Sequence, residues 1–100
     1  SIDWAKLGFE WYGIQLKSIK SMGSDKKIIN YFINHPKIIF YYEYEEGNWD
    51  YDFGIIVRNS RELREFINEF RAAFFDVFKI IDAFLVLEET SWFRLPEGVF

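Results

Sequence analysis

The order of patterns across residues 36–89 restricts the fold more than any other feature of the chain. An apolar run leads to the turn Gly47-Asn48-Trp49-Asp50, and then come an alternating run, an amphipathic helical pattern and a second apolar run. Residues 37–45 are rich in β-branched and aromatic side chains (Ile38, Ile39, Phe40, Tyr41, Tyr42, Tyr44), which suit a pleated surface better than a helix. After the turn, Tyr51, Phe53, Ile55 and Val57 alternate with Asp52, Gly54 and Ile56, the pattern of a strand folded back antiparallel on the one before it. The last run, residues 77–88, is apolar on both parities. Val77, Lys79, Ile81, Ala83, Leu85 and Leu87 form one set; Phe78, Ile80, Asp82, Phe84 and Val86 form the other. Strands apolar on both faces need something packed on each side.

The remaining elements follow from spacing. Tyr12, Ile14 and Leu16 share one parity while Trp11, Gln15 and Lys17 share the other, which predicts a half-buried first strand over residues 9–19. Ser24 is placed to cap a helix that ends before Pro36 and carries a stripe of Ile28, Ile29, Phe32 and Ile33. Asn59 and Ser60 open a second helix over residues 61–74, with Leu63, Phe66, Ile67, Phe70 and Phe74 down one stripe. Residues 1–8 read as a lead-in and residues 89–100 as an irregular tail. The resulting β-α-β-β-α-β order predicts an α+β, ferredoxin-like single domain over residues 1–100: a four-stranded antiparallel sheet with both helices on one face and the other face bare.

Composition bears on what covers that bare face. Aromatic residues make up 22% of the chain, more rings than one small core encloses, and the surplus points to an interface with a second copy. A formal net charge of -4 provides no electrostatic footprint for a phosphate backbone. There is no cysteine, hence no disulfide framework and no thiolate metal site, and a cytoplasmic setting is compatible. The longest apolar runs fall far short of the roughly 20 residues that span a bilayer, so no membrane partner is expected. The opening Ser1-Ile2-Asp3, with neither an initiator methionine nor a leader, suggests a segment of a longer protein.

Several segments together resemble a known family. They are Ile2-Asp3-x-x-Lys6-Leu7-Gly8, His35-Pro36-x-Ile38, Gly47-Asn48-Trp49-Asp50-Tyr51, Leu63-x-x-Phe66-Ile67 and Leu85-Val86-Leu87-Glu88. In order and spacing they are similar to the C-terminal effector-binding half, the RAM domain, of leucine-responsive/asparagine (Lrp/AsnC) transcription regulators. The resemblance implies a ferredoxin-like fold that dimerises through its sheet face and can assemble further. It implies no enzymatic activity and no cofactor, and DNA contact only through a separate helix-turn-helix domain. It also implies a small effector, commonly an amino acid, held near the Gly-x-aromatic-Asp turn. Gly47, Asn48, Trp49 and Asp50 match that turn, with Gly47 supplying backbone freedom, Trp49 a wall and Asp50 an acceptor for an ammonium group. Asp82 stands where the family has a threonine, and Phe75-Asp76 where it has Pro-Gly.

Each candidate has a plainer reading. Asp50 can simply shape its turn, and Asp82 can be solvated or paired with a basic residue. Asp50 and Asp52 share a strand face, yet no further acid or histidine joins them in a catalytic or metal set. His35, the lone histidine, suits a cationic cap at the end of the first helix better than a zinc site or triad. The third strand, Asp50-Tyr51-Asp52-Phe53-Gly54-Ile55, lacks the basic lead of an RNA-binding sheet. The other function open to this fold is a stand-alone ligand-binding or structural assembly module.

Overall fold

A computed structural model describes residues 3–19, 25–88 and 91–100. Among these, the order is β1 (Glu10–Ser18), α1 (Asp25–Asn34), β2 (Ile38–Glu43), β3 (Tyr51–Val57), α2 (Ser60–Phe74), β4 (Phe78–Glu88) and β5 (Ser91–Arg94). Short 3-10 turns lie at Ala5–Leu7 and Glu97–Val99. All strand pairs are antiparallel and the sheet order is β2-β3-β1-β4-β5. The sheet therefore has five strands where the sequence pattern predicts four. The extra one comes from the tail expected to be irregular: Trp92, Phe93 and Arg94 pair with Val86, Leu85 and Phe84 of β4.

One face of this sheet carries both helices. Tyr12, Ile14 and Leu16 of β1 and Tyr51, Phe53, Ile55 and Val57 of β3 point into the core with Ile28 and Phe32 of α1. Leu63, Phe66, Ile67, Phe70 and Phe74 of α2 complete it, so the predicted stripe of the second helix is the buried one. Much of this core is ring on ring. Phe53 lies 5.9 Å from both Phe66 and Phe70, Phe32 stacks on Tyr41 at 5.0 Å, and Tyr31 meets Phe74 edge-on at 5.1 Å. Such pairs each add about 0.5–1.5 kcal/mol beyond the area they bury.

α2 is also well specified at its start. The Asn59 side chain accepts from the Glu62 amide, and Glu62 Oε1 accepts from the Arg58 amide at 3.1 Å, so two otherwise free donors of the first turn are satisfied reciprocally. The expected Ser24 cap of α1 lies outside the described residues. In α1 the stripe is narrower than predicted: Ile28 and Phe32 are buried, whereas Ile33 is 64% exposed and its place against α2 is taken by Tyr31.

The largest departure from simple alternation is in β4. A register shift between Gln15 and Leu16 sets Asp82 opposite Gln15 and Ile80 opposite Leu16, leaving Ile81 as the extra residue of a β-bulge. The strand therefore changes parity partway. Phe78, Ile80 and Ala83 all face the core, with Leu85 packed against them, although the sequence pattern assigns the first two to the opposite face from the last two. A one-residue bulge flips every side chain beyond it, which is why β4 reads as apolar on both parities.

Candidate functional site

The Gly47–Asp50 turn is tied to two strands at once by Asp50. Its carbonyl accepts from the Tyr44 amide and its amide donates to the Leu16 carbonyl, both at 2.8 Å. Its Oδ2 accepts from the Ser18 amide at 2.6 Å, satisfying the last amide of β1 where β3 no longer reaches it. Gly47 sits at φ +114°, a conformation that L side chains rarely adopt, so the backbone freedom expected there is used. Trp49 packs edge-on against Tyr44 at 6.0 Å and walls the turn on one side. Asn48 is exposed at the tip. One oxygen of Asp50 is thus committed to the backbone, and Oδ1 makes no bond to another described residue.

Asp82 lies elsewhere. Cross-strand register aligns Asp52 with Gln15 and Gln15 with Asp82, so these three side chains form a polar row across β3, β1 and β4 on the face away from the helices. At strand spacings of about 4.8 Å, Asp82 is about 10 Å from Asp52 and farther from the turn. Its Oδ1 accepts from the Ala83 amide, and its Oδ2 pairs with Arg94 Nη2 of β5 at 3.1 Å. Within one chain the predicted turn residues and Asp82 are not brought together. At the other end of the row, Asp52 Oδ2 accepts from the Tyr44 hydroxyl at 3.0 Å. Burial pushes the Asp52 carboxyl above its ordinary value, and the Tyr44 hydrogen bond offsets part of that rise.

Beside the polar row lies a layer of rings, the part of this surface that sequence reasoning did not single out. The ring of Phe40 of β2 covers Gly54 of β3, and that of Phe84 of β4 covers Gly13 of β1. A Cβ added at Gly54 would come within 2.2 Å of the Phe40 ring, and one at Gly13 within 2.5 Å of Phe84. Trp11 meets Phe40 at 6.1 Å, and Trp92 of β5 meets Phe84 at 5.3 Å. Tyr42 and Trp92 remain 60% and 58% exposed. A glycine centred in a strand and paired with an aromatic on its neighbour is a readable signal of close backbone cover, present here twice.

His35 does not cap α1 with its ring. Its amide donates to the Tyr31 carbonyl, while the Lys37 amide donates to ring Nδ1, so the neutral imidazole carries its proton on Nε2, 3.3 Å from Glu69 Oε2. Burial, and secondarily the Glu69 carboxylate, hold the neighbouring Tyr31 hydroxyl far above its ordinary value. These residues, with Asn34 and Pro36, line a shallow depression of about 480 Å³ on the helical side; a second, of about 350 Å³, follows β2 along Ile33, Ile38 and Ile39. Both open away from the turn. Among the described residues, no group of three or more His, Asp or Glu is placed to hold a metal, and no helix is long and apolar enough to cross a membrane.

No protein-family model and no curated protein matches the sequence. The fold does match solved structures of Lrp/AsnC-type regulators. A transcriptional regulator from Neisseria meningitidis, in complex with L-Met, superposes with a TM-score of 0.71 at 13% identity, covering 100% of this chain and 66% of its own. LrpC of B. subtilis gives 0.70 at 18% identity, covering 91% of this chain and 60% of its own. An AsnC family transcriptional regulator from Agrobacterium tumefaciens gives 0.65 at 16%, covering 98% and 64%. The chain thus spans less than two thirds of each of these regulators, and what it shares with them is the fold.

Proposed function

We propose that this chain is the effector-binding and oligomerisation domain of an Lrp/AsnC-like transcription regulator, a ferredoxin-like unit extended by β5. It has no enzymatic activity of its own, and DNA is contacted by a separate domain. The observation that carries this reading is the open sheet face. A layer of five rings (Trp11, Phe40, Tyr42, Phe84 and Trp92) with Ile56 and Val86 is built over two glycines and left without a helix in front of it, on a fold whose solved examples are regulators. An exposed aromatic surface of this kind is what a homodimer interface buries. Each fully buried large side chain contributes about 1.5–3 kcal/mol, so a few rings per copy offset the loss of free motion on association. Light scattering at micromolar concentration should show a dimer, and a strictly monomeric chain would remove the basis for the proposal.

The effector is an amino acid or similar small amine, held at the Gly47–Asp50 turn. The L-Met complex of the Neisseria regulator supports that ligand class, and Oδ1 of Asp50, which makes no bond to another described residue, suits an ammonium group beside Trp49. Asp82, on the same sheet but two strands from Asp52, would join such a site only across copies. Calorimetry against the common amino acids is the direct test, and Asp50→Asn, which keeps an acceptor for the Ser18 amide, should weaken binding by roughly 10-fold or more while leaving assembly intact.

A second reading, an assembly module without effector, is favoured by the clamp between Asp50 Oδ2 and the Ser18 amide, which explains that carboxylate with no ligand at all. No binding by any common amino acid to the assembled oligomer would select it.

A further inference from the structure

We infer that closure of the open sheet face over a second copy of this chain takes up a proton at Asp52, so that self-association is tighter in acidic than in neutral solution. This rests on the assembly reading above and deepens it by naming how the same surface is regulated.

The inference starts from an asymmetry in the polar row. Its two carboxylates are held differently. Asp82 has a cation in contact, Arg94 at 3.1 Å, and a backbone amide on its other oxygen. Asp52 has one hydrogen bond, from the neutral Tyr44 hydroxyl, and no cationic partner among the described residues. From β2 it faces Tyr42, its register partner, and Tyr44; from β1 it faces the neutral Gln15. Lys17 shares the face but lies one pleat repeat farther along β1, where it is opposite Lys79 of β4. Asp50, of the same parity on the turn, is engaged by the Ser18 amide. Asp52 is therefore a half-buried anion at the margin of the ring layer formed by Phe40, Tyr42 and Trp11.

Seating a second copy on that layer removes the remaining water from Asp52. No cation is paired with Asp52 among the described residues, and loss of water disfavours the charged form, in the same direction as burial already acts in the single chain. A group that holds its proton more tightly in the dimer than in the monomer adds to association at low pH. That contribution is lost as pH rises through the values of the monomer and then of the dimer. A symmetric dimer carries two such groups, so the dependence is steeper than for one site. His35 lies on the helical side of the sheet against Glu69 and Phe66 and does not face this surface.

The test is sedimentation equilibrium of the chain, Asp52→Asn and Asp82→Asn between about pH 4 and about pH 7.5, with circular dichroism to establish that each variant is folded. The dimer dissociation constant of the unaltered chain should fall about 10-fold or more from the upper to the lower pH. Asp52→Asn should associate at the upper pH about as tightly as the unaltered chain does at the lower, with a flat profile. Asp82→Asn should keep the original slope. A slope that survives in Asp52→Asn overturns the inference. So does association that strengthens with rising pH, which would mean that a cation of the partner copy meets Asp52. A chain that stays monomeric at every pH, Asp52→Asn included, overturns the assembly reading and the inference with it.

Discussion

The two faces of this sheet are built from the same strands yet solve different problems. Behind the sheet, Tyr51, Phe53, Ile55 and Val57 meet Phe66, Phe70 and Phe74, and almost nothing of them is left in water. In front, the intervening residues of the same strands include Asp52, Gly54, Gln15 and Gly13, covered only by rings reaching across from neighbouring strands. The helical face gains stability by interdigitating large side chains, whereas the open face places rings over two glycines and leaves them partly in water. A core can be argued from the first arrangement and an interface from the second, and the two should respond differently to substitution.

The largest effect is expected on the helical face. Phe66 is 1% exposed and touches Tyr31, His35, Phe53 and Phe70, so Phe66→Ala leaves a cavity that these rings cannot readily fill. Urea unfolding should show a loss of about 3–5 kcal/mol. A loss below about 1 kcal/mol would mean that α2 is not the cover of this sheet, and the contrast between the faces would collapse.

An intermediate effect, of another kind, is expected in front. Gly54→Ala sets a methyl group against the Phe40 ring, but Phe40 is only partly buried and can swing outward. The cost to folding should therefore fall near or below about 1–3 kcal/mol, the usual range for overpacking, while the ring layer is disrupted. Self-association measured by light scattering should weaken more than stability does. Equal loss in both would mean that the glycine serves the fold and not the surface.

How far these faces can be read from sequence alone differs in the same way. The period-3.6 stripe of α2 and the alternation of β1 and β3 are local patterns, and the helical face follows from them almost residue by residue. The open face depends on what local pattern does not encode. The bulge at Ile81 is set by pairing with β1, not by any turn residue in β4. β5 exists because Trp92 and Phe93 find a free edge of β4, although four residues bounded by a Pro-Glu-Gly turn carry little periodicity of their own. Ile33 fits the α1 stripe by spacing but is left 64% exposed beside β2, where it lines the depression with Ile38 and Ile39. At the candidate site, the turn and its glycine were legible; the bond from the Ser18 amide to Asp50, spanning 32 positions, was not.

The smallest effect, and the sharpest way to separate the faces, is in the sign of two pH dependences. Glu62, at the start of α2, accepts a hydrogen bond from the Arg58 amide and lies 3.6 Å from Lys37 Nζ; these contacts hold its carboxyl below the ordinary value. A carboxyl lowered in the folded state contributes stability that is present above its unfolded value and lost as pH falls through its folded value. Asp52 is raised, so its contribution has the opposite course: present below its unfolded value, it is lost as pH rises through the folded one. Glu62→Gln should therefore be less stable than the unaltered chain at neutral pH and approach it in acid. Asp52→Asn should be at least as stable at neutral pH and lose that advantage in acid, because the protonated carboxyl already does what the amide does. Glu62 lies at the surface beside Lys37, so its difference will be small and will shrink further with added salt, whereas that of Asp52 arises from burial and should hardly respond to salt. Thermal unfolding of the two variants at two salt concentrations, below the concentration at which copies associate, measures both signs on the single chain. Two differences of the same sign would mean that Asp52 is held by charges like any solvated carboxylate, and the open face would lose its distinction at the carboxylate that has no ion pair among the described residues.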